Sequence, residues 1–209
     1  MLNGITTIIF DFGGVILNLN ESLTYNALMQ TLQCNEQQLK SYFTHNNMFH
    51  KYECGLVSTE EFVHYIQSCA KTTISTQEIA DAWNAMLLDF PLQHIDLLLS
   101  LKQTYRTFLL SNTNELHEQA FTHNMKNQGI THSLHDLFEQ VWYSHTLHLN
   151  KPHVTIFETV VQQANLNPKQ TLFLDDKIEN LEGAQKVGLQ TQLIDGDNSI
   201  MTIFKDFIR

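Results

Sequence analysis

The sequence predicts an α/β protein with a doubly wound, Rossmann-like parallel sheet and an inserted helical domain. Two observations support this fold class. Short apolar runs recur along the chain and alternate with helical patterns, which is typical of a parallel sheet covered by helices. The alternation is interrupted once, by a long stretch without strand patterns. With 209 residues, the chain is long enough for one sizeable core that carries an insertion.

Five short runs are predicted as strands of the core sheet. The first, 5–10, is rich in β-branched residues, as expected for a strand buried on both faces. The other four lie at 107–110, 140–143, 171–174 and 190–194. Helical patterns cover 92–102, 115–126, 154–164 and 178–187, the last of which ends at Gly188, a natural C-terminal stop.

Residues 20–90 form the interruption. They contain two capping boxes, Ser58-x-x-Glu61 and Ser75-x-x-Glu78, each followed by a helical apolar pattern. This segment is too long for a simple crossover between neighbouring strands. We therefore predict a helical cap domain over 20–90, seated at one end of the sheet, and a core domain built from 1–19 and 91–209.

Composition narrows the range of partners. The chain has 12 Lys and Arg against 22 Asp and Glu, a formal charge of -10, so its field repels nucleic acid and anionic membranes. The sequence has no uncharged apolar run long enough for a bilayer and no basic start before the first apolar run, so we expect a cytoplasmic protein, monomeric by default. The three cysteines show no CxxC spacing, which argues against a disulfide framework or a zinc site.

Four polar clusters follow predicted strands. They are Asp11, the pair Ser111-Asn112, Lys151, and the pair Asp175-Asp176. Loops at the carboxyl ends of parallel strands converge on one crevice, so these groups are expected to meet. Three carboxylates, a hydroxyl and an ammonium suit phosphoryl chemistry: acids hold Mg²⁺, the metal and the lysine neutralise phosphate oxygens, and a carboxylate oxygen attacks phosphorus.

Each cluster also has a purely structural explanation. An Asp after a strand is often a turn residue, and Ser111-Asn112 could begin a helix through side-chain caps. A lysine before a proline, such as Lys151, is commonly a solvated loop residue. The pair Asp175-Asp176 is harder to explain in this way, because adjacent carboxylates at the end of a buried strand repel each other unless a cation offsets them.

Taken together, the motifs resemble the haloacid dehalogenase-like hydrolases over essentially the whole chain. The matching segments are IIFDFGGVI, FLLSNTN, Lys151 in NKPHVTIF, and TLFLDDKIENLEGAQKVG. The helical insertion between the first and second segments resembles the capped subgroup of that family. The segment YECGLVSTEEF at 52–62 is similar to a cap segment found near sugar-phosphate phosphatases of the glucose-1-phosphate type.

The resemblance implies a role for each matching residue. Asp11 would be the nucleophile, forming an aspartyl-phosphate, and would bind Mg²⁺ through its other oxygen. Ser111 and the backbone of Asn112 would hold the phosphoryl group, and Lys151 would pair with Asp11 and the phosphate. The remaining metal ligands would be the backbone carbonyl of Gly13 and the Asp176 carboxylate, supported by Asp175 and Asn180.

Gly13 departs from the family pattern, in which this position holds a second acid that protonates the leaving oxygen. Three functions remain open. The first is a Mg²⁺-dependent phosphatase for a small phosphorylated metabolite. Its substrate would have a good leaving group, such as a sugar 1-phosphate, or the enzyme would take the proton from water or from His50 or Glu53 in the cap. The second is a dehalogenase, which Asp175 and Asp176 disfavour. The third is a non-catalytic binding protein.

Substrate choice is expected to depend on the cap, which would exclude water and contact the substrate. Most of its aromatic residues are predicted to pack between helices, with one or two lining the pocket. The residues considered are Phe43, Phe49, Tyr52, Phe62, Tyr65 and Trp83.

Overall fold

Five parallel strands form one sheet at the centre of the computed structural model, which describes residues 2–208. The strands are β1 (Thr7–Phe10), β2 (Arg106–Ser111), β3 (Gln140–Tyr143), β4 (Thr171–Asp175) and β5 (Gln190–Leu193), in the spatial order β3-β2-β1-β4-β5. The predicted α/β sheet is confirmed. β1 begins at Thr7 rather than at residue 5, because pairing with both neighbouring strands starts there.

Helices surround the sheet and fill the predicted insertion. Their bounds are α1 (Glu21–Leu32), α2 (Glu36–Thr44), α3 (Met48–Glu53), α4 (Thr59–Cys69), α5 (Thr76–Asn84), α6 (Leu92–Leu101), α7 (Glu115–Asn127), α8 (Leu134–Leu137), α9 (Ser144–Leu147), α10 (Val154–Gln163), α11 (Ile178–Gln185) and α12 (Ile200–Ile203). Short 3₁₀ turns cover His45–Asn47, Pro168–Gln170 and Lys205–Phe207. α11 ends before the predicted residue 187, and Gly188 follows with a φ of +86°.

Both faces of the sheet are buried, as the continuous apolar pattern of β1 predicts. Ile8 and Phe10 pack into one apolar cluster together with Leu98 of α6. Ile9 points to the opposite face and packs with Phe157 of α10 in a second cluster. The alternation of side chains along a strand therefore anchors helices on both faces and fixes β1 at the centre of the fold.

The inserted region has its own apolar core. Both predicted capping boxes form: Ser58 and Ser75 accept hydrogen bonds from the backbone of Glu61 and Glu78 and begin α4 and α5. Asn35 begins α2 in the same way. The buried side chains of α1 to α5 form a third cluster, which also takes in one residue of α7. These members are Leu28, Leu32, Leu39, Tyr52, Phe62, Val63, Ile66, Ile79, Ala82 and Leu116.

Two further sequence expectations concern absences. All three cysteines are free thiols. Within residues 2–208, no helix combines the length and apolar character that crossing a membrane requires.

Candidate active site

The predicted polar clusters meet at the carboxyl ends of the three central strands. Asp11 directly follows β1, Ser111 is the last residue of β2, and Asp175 is the last residue of β4. These strands are neighbours in register, since Phe10 pairs with a β2 residue on one side and a β4 residue on the other. Residues far apart in sequence therefore lie side by side because the parallel strands end together.

Lys151 lies between two carboxylates. Its Nζ donates to Asp11 Oδ1 at 2.6 Å and to Asp175 Oδ2 at 2.7 Å, and all three residues are buried. The backbone around Lys151 is held by the Asn112 side chain, which accepts from Lys151 N and donates to Lys151 O, both at 2.9 Å. The Asn112 side chain therefore positions Lys151. Only the backbone of Asn112 remains available to contact a ligand.

Asp175 is fully buried and fully bonded. Besides Lys151, it accepts from Asn180 Nδ2 at 2.9 and 3.0 Å and from the backbone N–H of Lys177 at 2.8 Å. Asn180 is itself buried at the start of α11, a position fixed by the helix. This arrangement fixes Asp175 at the floor of the site. The next residue, Asp176, is exposed at the mouth of the site.

Burial dominates the electrostatics of the nucleophile candidate. Burial, together with the nearby charge of Asp175, raises the pKa of Asp11 from 3.8 to about 7, although Lys151 opposes the shift. Burial alone would lower the pKa of Lys151, but Asp11 and Asp175 outweigh it and the lysine pKa is raised. Desolvation and the charge of Asp175 also raise the pKa of Asp176. The site thus holds more negative charge than one lysine offsets.

The donor set fits a divalent metal ion. Within residues 2–208, one cluster of potential ligands stands out, in which carboxylate oxygens of Asp11, Asp175 and Asp176 all lie within 4.8 Å of one another. Hard cations such as Mg²⁺ prefer oxygen ligands of this kind. Gly14 lies against this group: its φ is +79°, and a Cβ added there would sit 2.5 Å from Asp176 Oδ2. The glycine therefore leaves room for the Asp176 carboxylate.

A cavity of about 670 Å³ opens above these residues, between the sheet and the inserted helices. The predicted site residues on its wall are Asp11, Gly13, Ser111, Asn112, Lys151, Asp176 and Asn180. The structure thus brings together every residue selected from the sequence, with Asp175 directly beneath; their individual roles stay predictions.

The inserted helices supply an aromatic wall on the other side of the cavity. Tyr25, Phe43, Phe49 and Trp83 all line it. Their ring centroids follow one another at 5.6, 3.7 and 5.2 Å, so the rings form a continuous row. The sequence predicted one or two of its chosen aromatic residues to line the pocket. Three of them do, namely Phe43, Phe49 and Trp83, and the sharp turn before Phe49 places its ring beside that of Phe43.

A network of buried and partly buried hydrogen bonds joins this wall to α7. Trp83 Nε1 donates to Asn114 Oδ1 at 3.1 Å, and Asn114 also contacts the ring of His117 at 3.2 Å. The other ring nitrogen of His117 lies 3.1 Å from the Trp83 carbonyl. Burial lowers the pKa of His117 to about 4, so the neutral ring donates from Nε2 and accepts at Nδ1.

His50 and Glu53, the two possible proton donors in the cap, both line the cavity. Asn150, next to Lys151, donates to Glu53 Oε2 at 3.1 Å and its amide nitrogen lies 3.2 Å from His50 Nδ1. Since the Glu53 carboxylate fixes the orientation of the amide, the Asn150 N–H points to His50 Nδ1, which accepts it.

Sequence reasoning missed several residues of the cavity wall. A half-exposed ion pair, Lys177 Nζ to Glu21 Oε1 at 3.2 Å, crosses its mouth from the β4 loop to the start of α1. Lys177 directly follows the Asp175-Asp176 pair in the sequence, and this adjacency could have identified it as a residue of the site. Asn114 and Glu179 also line the cavity and lie within quoted motifs, although no role was predicted for them. The wall residues that no motif indicated are Leu19, Thr24, Tyr25, Met86 and His117.

Known proteins resemble this chain in sequence and in structure. The family model described as haloacid dehalogenase-like hydrolase matches residues 8–194. A D-ribitol-5-phosphate phosphatase of Bacteroides thetaiotaomicron is 26% identical over 188 residues, which make up 90% of each protein. A sesquiterpene phosphatase of Aspergillus oryzae is also 26% identical, over 87% of this chain and 85% of its own.

Solved structures extend the similarity to the whole fold. A HAD family enzyme of Bacteroides thetaiotaomicron, in complex with magnesium and inorganic phosphate, superposes with a TM-score of 0.84 and 29% identity. The match covers 96% of this chain and 99% of that chain.

Proposed function

The chain belongs to the haloacid dehalogenase-like hydrolases, and from this premise we propose that it is a Mg²⁺-dependent phosphatase acting on a small phosphorylated metabolite through Asp11. Its named relatives are phosphatases, so the chain is a phosphatase of this family acting on a phosphorylated substrate. The observation that carries the finer proposal is the Asp11–Lys151–Asp175 arrangement, in which a buried carboxylate is held beside an ammonium at the floor of a cavity.

In the proposed reaction, the carboxylate of Asp11 attacks the phosphorus atom. A bond forms between a carboxylate oxygen and phosphorus, the bond from phosphorus to the leaving oxygen breaks, and the electron pair stays on that oxygen, which takes a proton from water. Water then attacks phosphorus, the aspartyl–oxygen bond to phosphorus breaks, and inorganic phosphate leaves. Lys151 holds one carboxylate oxygen, which orients the other toward the cavity.

The remaining groups would hold the phosphoryl group and the metal. Ser111 Oγ and the backbone N–H of Asn112 would donate to phosphate oxygens, and Lys151 would offset their charge. Mg²⁺ would be held by Asp11, the Gly13 carbonyl and Asp176, and it supplies charge neutralisation for the phosphate. Asp175 and Asn180 would keep the lysine and the loop in place. The exposure of Asp176 and the saturation of Asp175 by three donors favour this division of roles.

Gly13 removes the usual acid and base at the second position of the first motif. Such help is typically worth about 10²–10⁴-fold in rate, or roughly 3–5 kcal/mol. The electrostatic and positioning contributions of the remaining groups are usually larger, so the enzyme is slowed rather than inactivated. A substrate with a good leaving group would lose least. The similarity to a D-ribitol-5-phosphate phosphatase favours a substrate of the sugar-phosphate class, but ribitol 5-phosphate is an alkyl ester and does not bear on the leaving-group preference.

We also propose that 20–90 act as a cap domain on a core made of 1–19 and 91–209. The separate apolar cluster of the inserted helices and the cavity beneath them favour this division. Cytoplasmic location and a monomeric state stay predictions.

One assay tests the proposal against its alternatives. Purified protein is mixed with p-nitrophenyl phosphate in Mg²⁺ or in EDTA, and inorganic phosphate is measured for wild type, Asp11→Asn and the exposed control Asp96→Asn. We expect Mg²⁺-dependent release that Asp11→Asn abolishes and Asp96→Asn preserves. Acid-quenched wild type should carry phosphate on the peptide that contains Asp11.

The other functions give different results. A binding protein would release no phosphate yet would bind phosphorylated metabolites. A dehalogenase would release halide from a 2-haloacid without Mg²⁺. Phosphate release that Asp11→Asn leaves unchanged would overturn the assignment of the nucleophile.

A further inference from the structure

Leu19 occupies the space in which a side chain at position 13 would lie. A Cβ built on Gly13 would overlap Leu19 Cδ1 and would sit 3.2 Å from Leu19 Cγ. Leu19 also lines the cavity above Asp11. The position that a side chain on residue 13 would take is therefore filled by an apolar side chain that reaches in from residue 19.

The backbone of Leu19 is held in place by a second segment of the chain. The two segments that lead into and out of the inserted helices, 18–20 and 86–89, run antiparallel and form a bridge between Leu19 and Leu87. Backbone hydrogen bonds of 3.0–3.1 Å join them at three points, from Asn18 to Asp89, from Leu88 to Asn18 and from Asn20 to Met86. We call this pair of segments the connector. Because the two segments of the connector hydrogen-bond to each other on either side of Leu19, the Leu19 backbone cannot move easily away from Gly13.

The loop on the other side of the contact is equally constrained. Gly14 adopts a left-handed φ of +79°, and its Cα faces Asp176 closely enough that an added Cβ would lie 2.5 Å from the carboxylate. The backbone N–H of Gly14 donates to Leu17 O at 2.8 Å. A side chain at position 13 therefore requires the Leu19 side chain to rotate away, since the connector holds the Leu19 backbone and moving the loop would disturb Asp176.

We infer that Leu19 is a specificity-determining residue: packed on Gly13, it forms an apolar wall beside the nucleophile and selects monoesters whose leaving oxygen departs without a proton. The inference rests on the proposed function, in which the leaving oxygen keeps the electron pair of the broken bond. Alcohols of low pKa, such as phenols and the anomeric hydroxyl of a sugar, leave readily in this way. Simple alkyl alcohols need a proton donor, and the wall supplies none.

Four proteins test this inference: wild type, Gly13→Asp, Leu19→Ala and the double variant. Each is assayed for kcat/KM on p-nitrophenyl phosphate, an aryl ester, and on ribitol 5-phosphate, an alkyl ester. We expect the alkyl-to-aryl ratio of the double variant to exceed that of Leu19→Ala at least about tenfold. Gly13→Asp alone should gain less, and its urea unfolding midpoint should fall further than the same change in the Leu19→Ala background.

Leu88→Ala provides a matched control. Leu88 lies on the same connector, is exposed and does not line the cavity. Adding Leu88→Ala to Gly13→Asp should not reproduce the gain of the double variant. If the double variant does not fold, Leu19→Asp tests the inference instead. This variant brings a carboxyl group beside residue 13 without altering residues 13 and 14, and its alkyl-to-aryl ratio of kcat/KM should again exceed that of wild type.

Two results would overturn the inference. In one, Gly13→Asp alone reaches the ratio of the double variant, so Leu19 does not obstruct position 13. In the other, neither the folded double variant nor Leu19→Asp raises the ratio. Failure of the proposed function itself looks different, because turnover of wild type would then be absent or would survive Asp11→Asn.

Discussion

Asp11 makes the metal-free protein less stable at neutral pH, and its replacement by Asn should reverse this effect. The pKa of Asp11 is raised from 3.8 to about 7, chiefly by burial. A raised carboxyl pKa means that the folded state holds its proton more tightly than the unfolded chain does. The stability associated with the neutral carboxyl is complete below pH 4 and is lost as the pH rises to about 7.

The size of the effect follows from this shift. One pKa unit corresponds to about 1.4 kcal/mol, so the rise of roughly three units predicts a loss of up to about 4 kcal/mol between pH 4 and pH 8. Asn resembles the neutral carboxyl and does not ionise. Lys151 keeps Asp175 as its partner at 2.7 Å, so Asp11→Asn leaves no buried charge unpaired. The variant should therefore be inactive yet more stable than wild type at pH 8.

Urea unfolding in EDTA at several pH values measures this difference. The stability advantage of Asp11→Asn should grow from pH 4 to pH 8, whereas the exposed control Asp96→Asn should run parallel to wild type. Adding Mg²⁺ at pH 8 should stabilise wild type more than Asp11→Asn, since binding to the folded state raises stability. Parallel curves for wild type and Asp11→Asn across this range would refute the reasoning.

Two other predictions concern the junction between the inserted helices and the core. Burial lowers the pKa of His117 from 6.5 to about 4, so protonation of this residue should remove up to about 3 kcal/mol of stability as the pH falls through this range, against the opposite contribution of Asp11. In urea unfolding, the stability of His117→Phe relative to wild type should therefore rise as the pH falls; a constant difference between the two proteins would exclude a buried neutral imidazole. Gly55 has a φ of +62°, and an added Cβ would overlap the carbonyl oxygen of His145. Gly55→Ala should therefore unfold at a clearly lower urea concentration than the control Gly129→Ala. Gly129 has a similar φ of +77° but open space around it, so its replacement should cost only about 1–2 kcal/mol of stability. Similar urea midpoints for the two variants would show that the atoms around Gly55 move aside easily.

The floor of the site could be predicted from sequence because it is encoded locally. Asp11 and the Asp175-Asp176 pair each stand at the end of an apolar run, and parallel strands bring their carboxyl ends together. Ser111 follows the same rule. Lys151 is different, since it arrives on a loop and is fixed by the side chain of Asn112. The sequence pattern grouped it with the strand ends, and the resemblance to a family suggested its role, but neither revealed the side-chain contact that fixes the loop.

The aromatic wall could not be predicted in the same way. Phe43 and Phe49 belong to separate helices, and the chain between them turns at Asn46 and Asn47, which both adopt left-handed φ angles of 54° and 52°. A helical periodicity that continued through this stretch would have placed Phe49 on a different face. Asn tolerates this conformation better than most residues, but the presence of two consecutive Asn residues does not say that both will adopt it.

Gly13 shows most clearly how local and distant information combine. The sequence reveals that the second acid is missing, and it invites the simple expectation that restoring an Asp restores the chemistry. The structure changes that expectation. The Leu19 side chain fills the position, and the Leu19 backbone pairs with Leu87, far along the chain. The chemical consequence of residue 13 therefore depends on a contact that only the folded connector creates. A relative with Gly at this position but a small residue at 19 would leave space beside the proposed nucleophile, Asp11, and water in that space could donate a proton to the leaving oxygen.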